Sequence, residues 1–214
     1  MRNGSQTVRA TIKRGFGAAA GGYGGAMKAV NNAAVQTAQE MGFDPEKMVK
    51  AFTFDAEKLI AAEVEGSQVV RSKSIPQRLT HLIDESSAFV VLGGGQGTVV
   101  EEFVALEAEN QAKRIEARHQ PRPIIIIDPS LKHTDLLGSQ AGKEPKMKSP
   151  EVLGNVYVLN NEAEAAELAA RIVELYYLQS LGIQVDPDVK SELDRYSFGQ
   201  FLEHQQKFEG GGGI

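Results

Sequence analysis

The apolar positions of this chain form short unbroken runs, separated by longer segments of helical spacing. Ala88-Phe89-Val90-Val91-Leu92 has no polar break, the pattern of a strand buried on both faces of a parallel sheet. Pro123-Ile-Ile-Ile-Ile-Asp128 is the clearest strand, a β-branched run closed by Asp-Pro. Asn155 to Leu159, Gln68 to Arg71, Met48 to Phe52 and the small-residue run Phe16 to Ala20 predict further strands. Between them lie predicted helices. Thr7 to Arg14 ends at Gly15, Ala26 to Ala38 is alanine-rich, and Asp55 to Glu63 is polar with a helical pattern. Arg78 to Asp84 is entered through Pro76 and sets Leu79, Leu82 and Ile83 on one face. Thr98 to Asn110 carries Val99, Val100, Phe103, Val104 and Leu106 near helical spacing. Glu162 to Gln179 is capped by Asn161, with Glu164 in the capping-box position. Phe43-Asp44-Pro45 is a turn, and Gln111 to Gln120 is charged and exposed. Leu131 to Glu151 is mostly loop, Ser191 to Phe208 is a polar amphipathic segment, and Gly210 to Gly213 is a tail.

Strands alternating with helices predict an α/β fold built as a three-layer, doubly wound parallel sheet. In such a sheet the ligand sits beyond the carboxyl ends of the strands. The predicted division is a nucleotide-binding domain over residues 1–186, followed by a C-terminal helical segment and glycine-rich tail over 187–214. A length of 214 residues and 42% hydrophobic content suit one core of ordinary size. The net charge of −5 speaks against nucleic acid as a partner. With no cysteine, disulfides, zinc thiolates and cysteine nucleophiles are excluded. The four histidines show no metal-ligand spacing. No segment approaches a membrane span and the first residues do not read as a signal peptide, so the expected location is the cytoplasm, away from membranes.

Two glycine turns carry the candidate chemistry. Gly93-Gly94-Gly95-Gln96-Gly97-Thr98 follows the Ala88–Leu92 strand and opens a helix. Strand, glycine turn and helix N-terminus together bind phosphate, because free backbone N–H groups and the helix dipole point at the anion. It is not a P-loop, which needs Lys-Ser/Thr after its last glycine, nor the dinucleotide pattern, which would put glycine or alanine at Val99. The other turn, first in the chain, is Gly21-Gly22-Tyr23-Gly24-Gly25, ahead of the alanine-rich helix. The bland reading by composition alone is a flexible low-complexity patch, which two glycine turns each opening a helix in one chain disfavour.

Gly94-Gly95-Gln96-Gly97-Thr98-x-x-Glu101 resembles the Pro-Gly-Gly-x-Gly-Thr-x-x-Glu motif of the LONELY GUY (LOG) or lysine-decarboxylase-like family, with Gly93 in place of the motif proline. The first turn, with Gly21, Gly22, Gly24, Gly25 and Met27, resembles that family's Gly-Gly-Gly-x-x-Gly-x-Met signature, with Tyr23 replacing one glycine. The likeness spans roughly Thr11 to Leu159. The family's first strand and its Gly-Ser-rich turn have no counterpart in this sequence. The resemblance implies a hydrolase that splits the N-glycosidic bond of a nucleoside 5′-monophosphate, such as AMP or a cytokinin riboside monophosphate. It implies a homodimer, and neither metal nor cofactor.

The same resemblance assigns residues. Gly94, Gly95, Gln96, Gly97 and Thr98 hold the phosphate. Glu101 matches the family glutamate, and Arg78 stands at the interval before the motif where the family has an arginine, with Leu79 where a lysine usually follows. Arg71 is the fallback. An oxocarbenium-like ribose needs a nearby carboxylate to stabilise charge and orient water, which is the role of Glu101, and Arg78 holds phosphate or ribose hydroxyls. The bland readings stand beside these. Thr98-x-x-Glu101 is also a capping box, a lone arginine on a helix is usually solvated, and His81 is structural. Glu102 reads as a partner or surface residue. The rival function is a nucleotide- or molybdenum-cofactor-binding protein of the same fold, without hydrolysis; a DNA-processing relative is disfavoured by the charge.

Overall fold

A computed structural model describes residues 2–22, 25–54, 64–93, 96–115, 120–130, 134–135, 137 and 154–200. The chain divides into two compact units, Met1–Ser86 and Ser87–Ile214. The boundary drawn from the sequence at 186/187 is a different cut, falling between two helices that pack together inside the second unit.

The first unit begins with α1 (Arg2–Lys13), which starts five residues before the predicted Thr7. Then come β1 (Ala18–Gly21), α2 (Ala26–Glu40), the short α3 (Pro45–Met48), β2 (Val49–Phe54), β3 (Gln68–Ser72) and α4 (Ile75–Asp84). Asp44 accepts from the Glu46 N–H at 3.1 Å, so the predicted turn caps α3. Pro76 sits in the first turn of α4, and Ser74 caps it by accepting from Gln77 N. The strands pair in parallel in the order β1-β2-β3, with Ala20 opposite Ala51 and Thr53 opposite Arg71. Side chains alternate between the two faces of a strand. Ala18 and Val49 face α1 and α2, where Val8, Ile12, Ala34 and Ala38 form the core. Lys50 and Phe52 face α4: Lys50 pairs with Glu85 at 2.7 Å, and the Phe52 ring lies parallel to His81, 6.4 Å between centroids. The predicted Asp55–Glu63 helix lies outside the described residues.

The second unit runs β4 (Phe89–Leu92), α5 (Gln96–Ile115), β5 (Ile124–Ile127), β6 (Val156–Leu159), α6 (Glu162–Ser180) and α7 (Pro187–Asp194). Its sheet is parallel in the order β4-β5-β6. All four isoleucines of β5 are buried; Ile125 and Ile127 pack on Leu168, Ile172 and Leu175 of α6 and Leu193 of α7. Asn161 caps α6 by accepting from Ala163 N. Together the alternating elements and parallel sheets make a Rossmann-like α/β fold.

Two expectations need correction. β4 is not buried on both faces along its length: Val90 is 37% exposed, while Leu92 on the same face packs partly buried against the core that α6 forms with β5. Helix α5 runs five residues past the predicted Asn110. The C-terminal segment read as helical from residue 187 does begin with a helix, α7, and Ser191 lies inside it. That helix ends at Asp194, and Ser197 bridges antiparallel to Tyr157. Residues 201–214 and most of 131–151 lie outside the described residues.

A charged pair locks α5 to the entry of β5. Buried Glu109 accepts from the Arg122 main-chain N–H at 2.7 Å and from its Nε at 2.6 Å, and the guanidinium lies over the Phe89 ring at 4.9 Å. Arg122→Ala keeps the main-chain donor but removes the cation from a buried carboxylate, so it should cost about 3 kcal/mol, read from denaturant unfolding. Tyr157 on β6 supplies a pH test. Burial, and then the charge of Asp194, push its phenol from 10.0 up to about 12. A pKa raised in the folded state gives stability that is present below pH 10 and lost as pH rises toward 12. Tyr157→Phe should remove that part of the alkaline loss when unfolding is measured between those pH values.

Candidate functional site

Within the first unit, the carboxyl ends of β1 and β2 meet the start of α2 and the first turns of α4. Gly21 ends β1, and the Gly22 N–H donates to the Phe52 carbonyl at 3.2 Å. The same carbonyl accepts from Arg78 Nε at 2.9 Å. Arg78 is therefore no solvated surface cation. It is 6% exposed, with its guanidinium drawn in over the end of the sheet. A Cβ on Gly21 would run into Arg78 Nη2 and Met27 Sδ, so glycine is what admits both side chains at this corner. A Cβ on Gly22 would run into Thr53 Cγ2. The structure thus brings Gly21, Gly22, Met27 and Arg78 together. Gly25, at the N-cap of α2, has φ +70° and no side-chain cap, so this helix N-terminus has main-chain donors that no side chain caps. Gly24 and Tyr23 lie outside the described residues. Arg71, the fallback cation, is exposed on β3, and His81 is half-buried against Phe52 with Nδ1 3.6 Å from Glu85.

In the second unit, Gly93 leaves β4, while Gln96, Gly97 and Thr98 form the first turn of α5. Gly94 and Gly95 lie outside the described residues. Because α5 begins at Gln96, Thr98 sits inside the helix and not at its N-cap, so the Thr98–Glu101 spacing is not that of a capping box here. Glu101 is half-buried in the second turn. Its neighbour Glu102 corrects the sequence reading: it is 1% exposed, not a surface residue. The buried face of α5 carries Glu102, Ala105, Leu106 and Glu109, at i, i+3, i+4 and i+7, while Val100 is exposed.

Sequence reasoning missed a set of buried polar groups. Asn31, on the buried face of α2 with Ala34 and Ala38, donates from Nδ2 to the Gly21 carbonyl at 3.2 Å, and its Oδ1 has no partner among the described residues. Thr53 Oγ1 and Ser72 Oγ, at the ends of β2 and β3, are likewise buried and unpartnered. Asparagine inside an alanine-rich helix was the one available signal, since it is a poor helix residue without a local reason.

In the second unit Asp128, fully buried after β5, accepts from Ser130 Oγ at 2.9 Å and from Thr134 N at 3.0 Å, which fixes the loop at that strand's carboxyl end. A cleft of about 700 Å³ lies at the opposite, amino-terminal edge of this sheet, lined by Tyr157, Tyr176, Asn155 and Asp194 among others. It includes none of the sequence-predicted site residues. Among the described residues no group of acidic and histidine side chains is placed to hold a metal ion. No helix there is long and apolar enough to cross a membrane.

The family model described as "Possible lysine decarboxylase" matches residues 27–167. No curated protein matches the chain.

The two glycines of the first turn differ in what they tolerate. Gly22→Ala meets a β-branched strand side chain and should cost about 1–3 kcal/mol of stability. Gly21→Ala meets the mobile ends of Met27 and Arg78 and should leave the melting temperature near wild type while displacing the guanidinium. Calorimetric melting of the two variants checks the contrast.

Proposed function

The chain belongs to the lysine-decarboxylase-like (LOG) family, of Rossmann-like α/β fold, and from that membership we propose that it hydrolyses the N-glycosidic bond of a nucleoside 5′-monophosphate. AMP or a cytokinin riboside monophosphate is the substrate, and free base and ribose 5-phosphate are the products. The observation that carries the reading is that β4 ends at Leu92 and α5 begins at Gln96, with Glu101 one turn into that helix. Main-chain N–H groups of Gly95, Gln96, Gly97 and Thr98, with Gly94 giving close approach, bind the 5′-phosphate. The C1′–N bond breaks with its electron pair going to the base. Water adds to C1′, Glu101 stabilises the oxocarbenium-like charge, takes the water proton and returns it to solvent, and the departing base takes up one proton from solvent. Arg78 supplies a fixed cation for the phosphate or ribose. The first glycine turn, with Gly21, Gly22, Gly24, Gly25 and Met27, shapes the surroundings of that cation. The enzyme acts in the cytoplasm as a homodimer, with no nucleic-acid or membrane partner and no cofactor.

A competing reading, binding of a nucleotide or molybdenum cofactor without hydrolysis, draws on the burial of Arg78 and its bond to a main-chain carbonyl, which also suit a structural cation. Incubation with AMP and chromatography of the products separates the two. The wild type should release adenine and ribose 5-phosphate, and Glu101→Gln should lower kcat by about 10²- to 10⁴-fold with the fold intact. A wild type that binds AMP and releases no base would leave the binding reading standing alone.

A further inference from the structure

Thr53 and Asn31 adjoin the same glycine turn from the same side of the sheet. Thr53 alternates with Val49 and Ala51, so it faces α2. Asn31 lies on the buried stripe of α2. The Asn31 amide is anchored through Nδ2 to the Gly21 carbonyl, and the Thr53 methyl lies where a side chain on Gly22 would be. Among the described residues Asn31 Oδ1 and Thr53 Oγ1 have no hydrogen-bond partner, and each is buried from solvent. A buried polar group without a partner costs about 1–3 kcal/mol, and such groups call for a functional account or an ordered molecule. Ser72 is also unpartnered, but it pairs with Phe54 and so faces the α4 side.

The two groups define what they would take. Asn31 Oδ1 only accepts, and a threonine hydroxyl both donates and accepts. An anion is wrong for the first, whereas a hydroxyl that donates to one and accepts from the other suits both. We propose that Asn31 and Thr53 form a sugar-hydroxyl subsite at the Gly21–Gly22 turn, binding the ribose hydroxyls of the nucleotide and selecting ribose over deoxyribose. The assignment rests on the nucleotide reading above and adds to it the residues that read the sugar.

The test is binding, by calorimetry, of AMP, 2′-deoxy-AMP and 3′-deoxy-AMP to the full chain. Wild type should prefer AMP over at least one deoxy analogue by about tenfold, the worth of one well-made hydrogen bond. Thr53→Val keeps the shape and removes an unpartnered hydroxyl, so its melting temperature should not fall and its preference should shrink to near onefold. Thr53→Ser should keep the preference. If the wild type binds AMP and both analogues alike, or Thr53→Val discriminates as well as wild type, the subsite is overturned while the nucleotide reading survives. If the wild type binds none of the three, the nucleotide reading falls and takes the subsite with it.

Discussion

The carbonyl of Phe52 ties the first unit together. It accepts from the Gly22 N–H, which fixes where the chain leaves β1, and from Arg78 Nε, which fixes where α4 sets its cation. The residue's own ring, fully buried, stacks on His81 of the same helix. A parallel strand ends without a tight turn, because the chain must cross over before it returns. The last carbonyls of such strands are free to organise whatever collects at that edge. Here they organise a guanidinium, a thioether and a glycine corner. The absence of Cβ atoms at Gly21 and Gly22 is the steric condition for that gathering.

Much of this was legible in the sequence. The isoleucine run of β5, the Asn161 cap and the Pro76 entry each rest on a local rule that tertiary packing had no reason to override. The helix that opens at Gln96 was also legible, because a glycine cluster between an apolar run and a helical pattern marks where one element gives way to the next. Helix α5 was misread in phase. Its valines and phenylalanine suggest one apolar face, yet the buried stripe passes through Glu102 and Glu109. Glu109 is accommodated by Arg122, far away in sequence, and pattern reading has no access to a partner brought in by the fold. The same limit hid Arg78, whose burial depends on a carbonyl from another strand.

Burial of polar groups here follows two regimes. Glu109, Asp128 and Arg78 are buried with bonds that satisfy them, and each fixes a loop or helix against a strand end. Such groups cost little once paired and enforce one geometry. Asn31 and Thr53 belong to the other regime, in which polar atoms are enclosed without return.

The two residues of that second regime are not equivalent. Asn31 has a structural reason to be polar, since its Nδ2 serves the buried Gly21 carbonyl, and an amide that donates there brings an Oδ1 with it whether or not the fold needs one. Thr53 has none. Valine would fill the same volume beside Gly22, suit a β-strand as well, and spare the fold a buried hydroxyl. Stability alone therefore favours valine at position 53. A threonine there, at the carboxyl end of a parallel strand where ligands of this architecture bind, is explained by the sugar hydroxyl it is proposed to read.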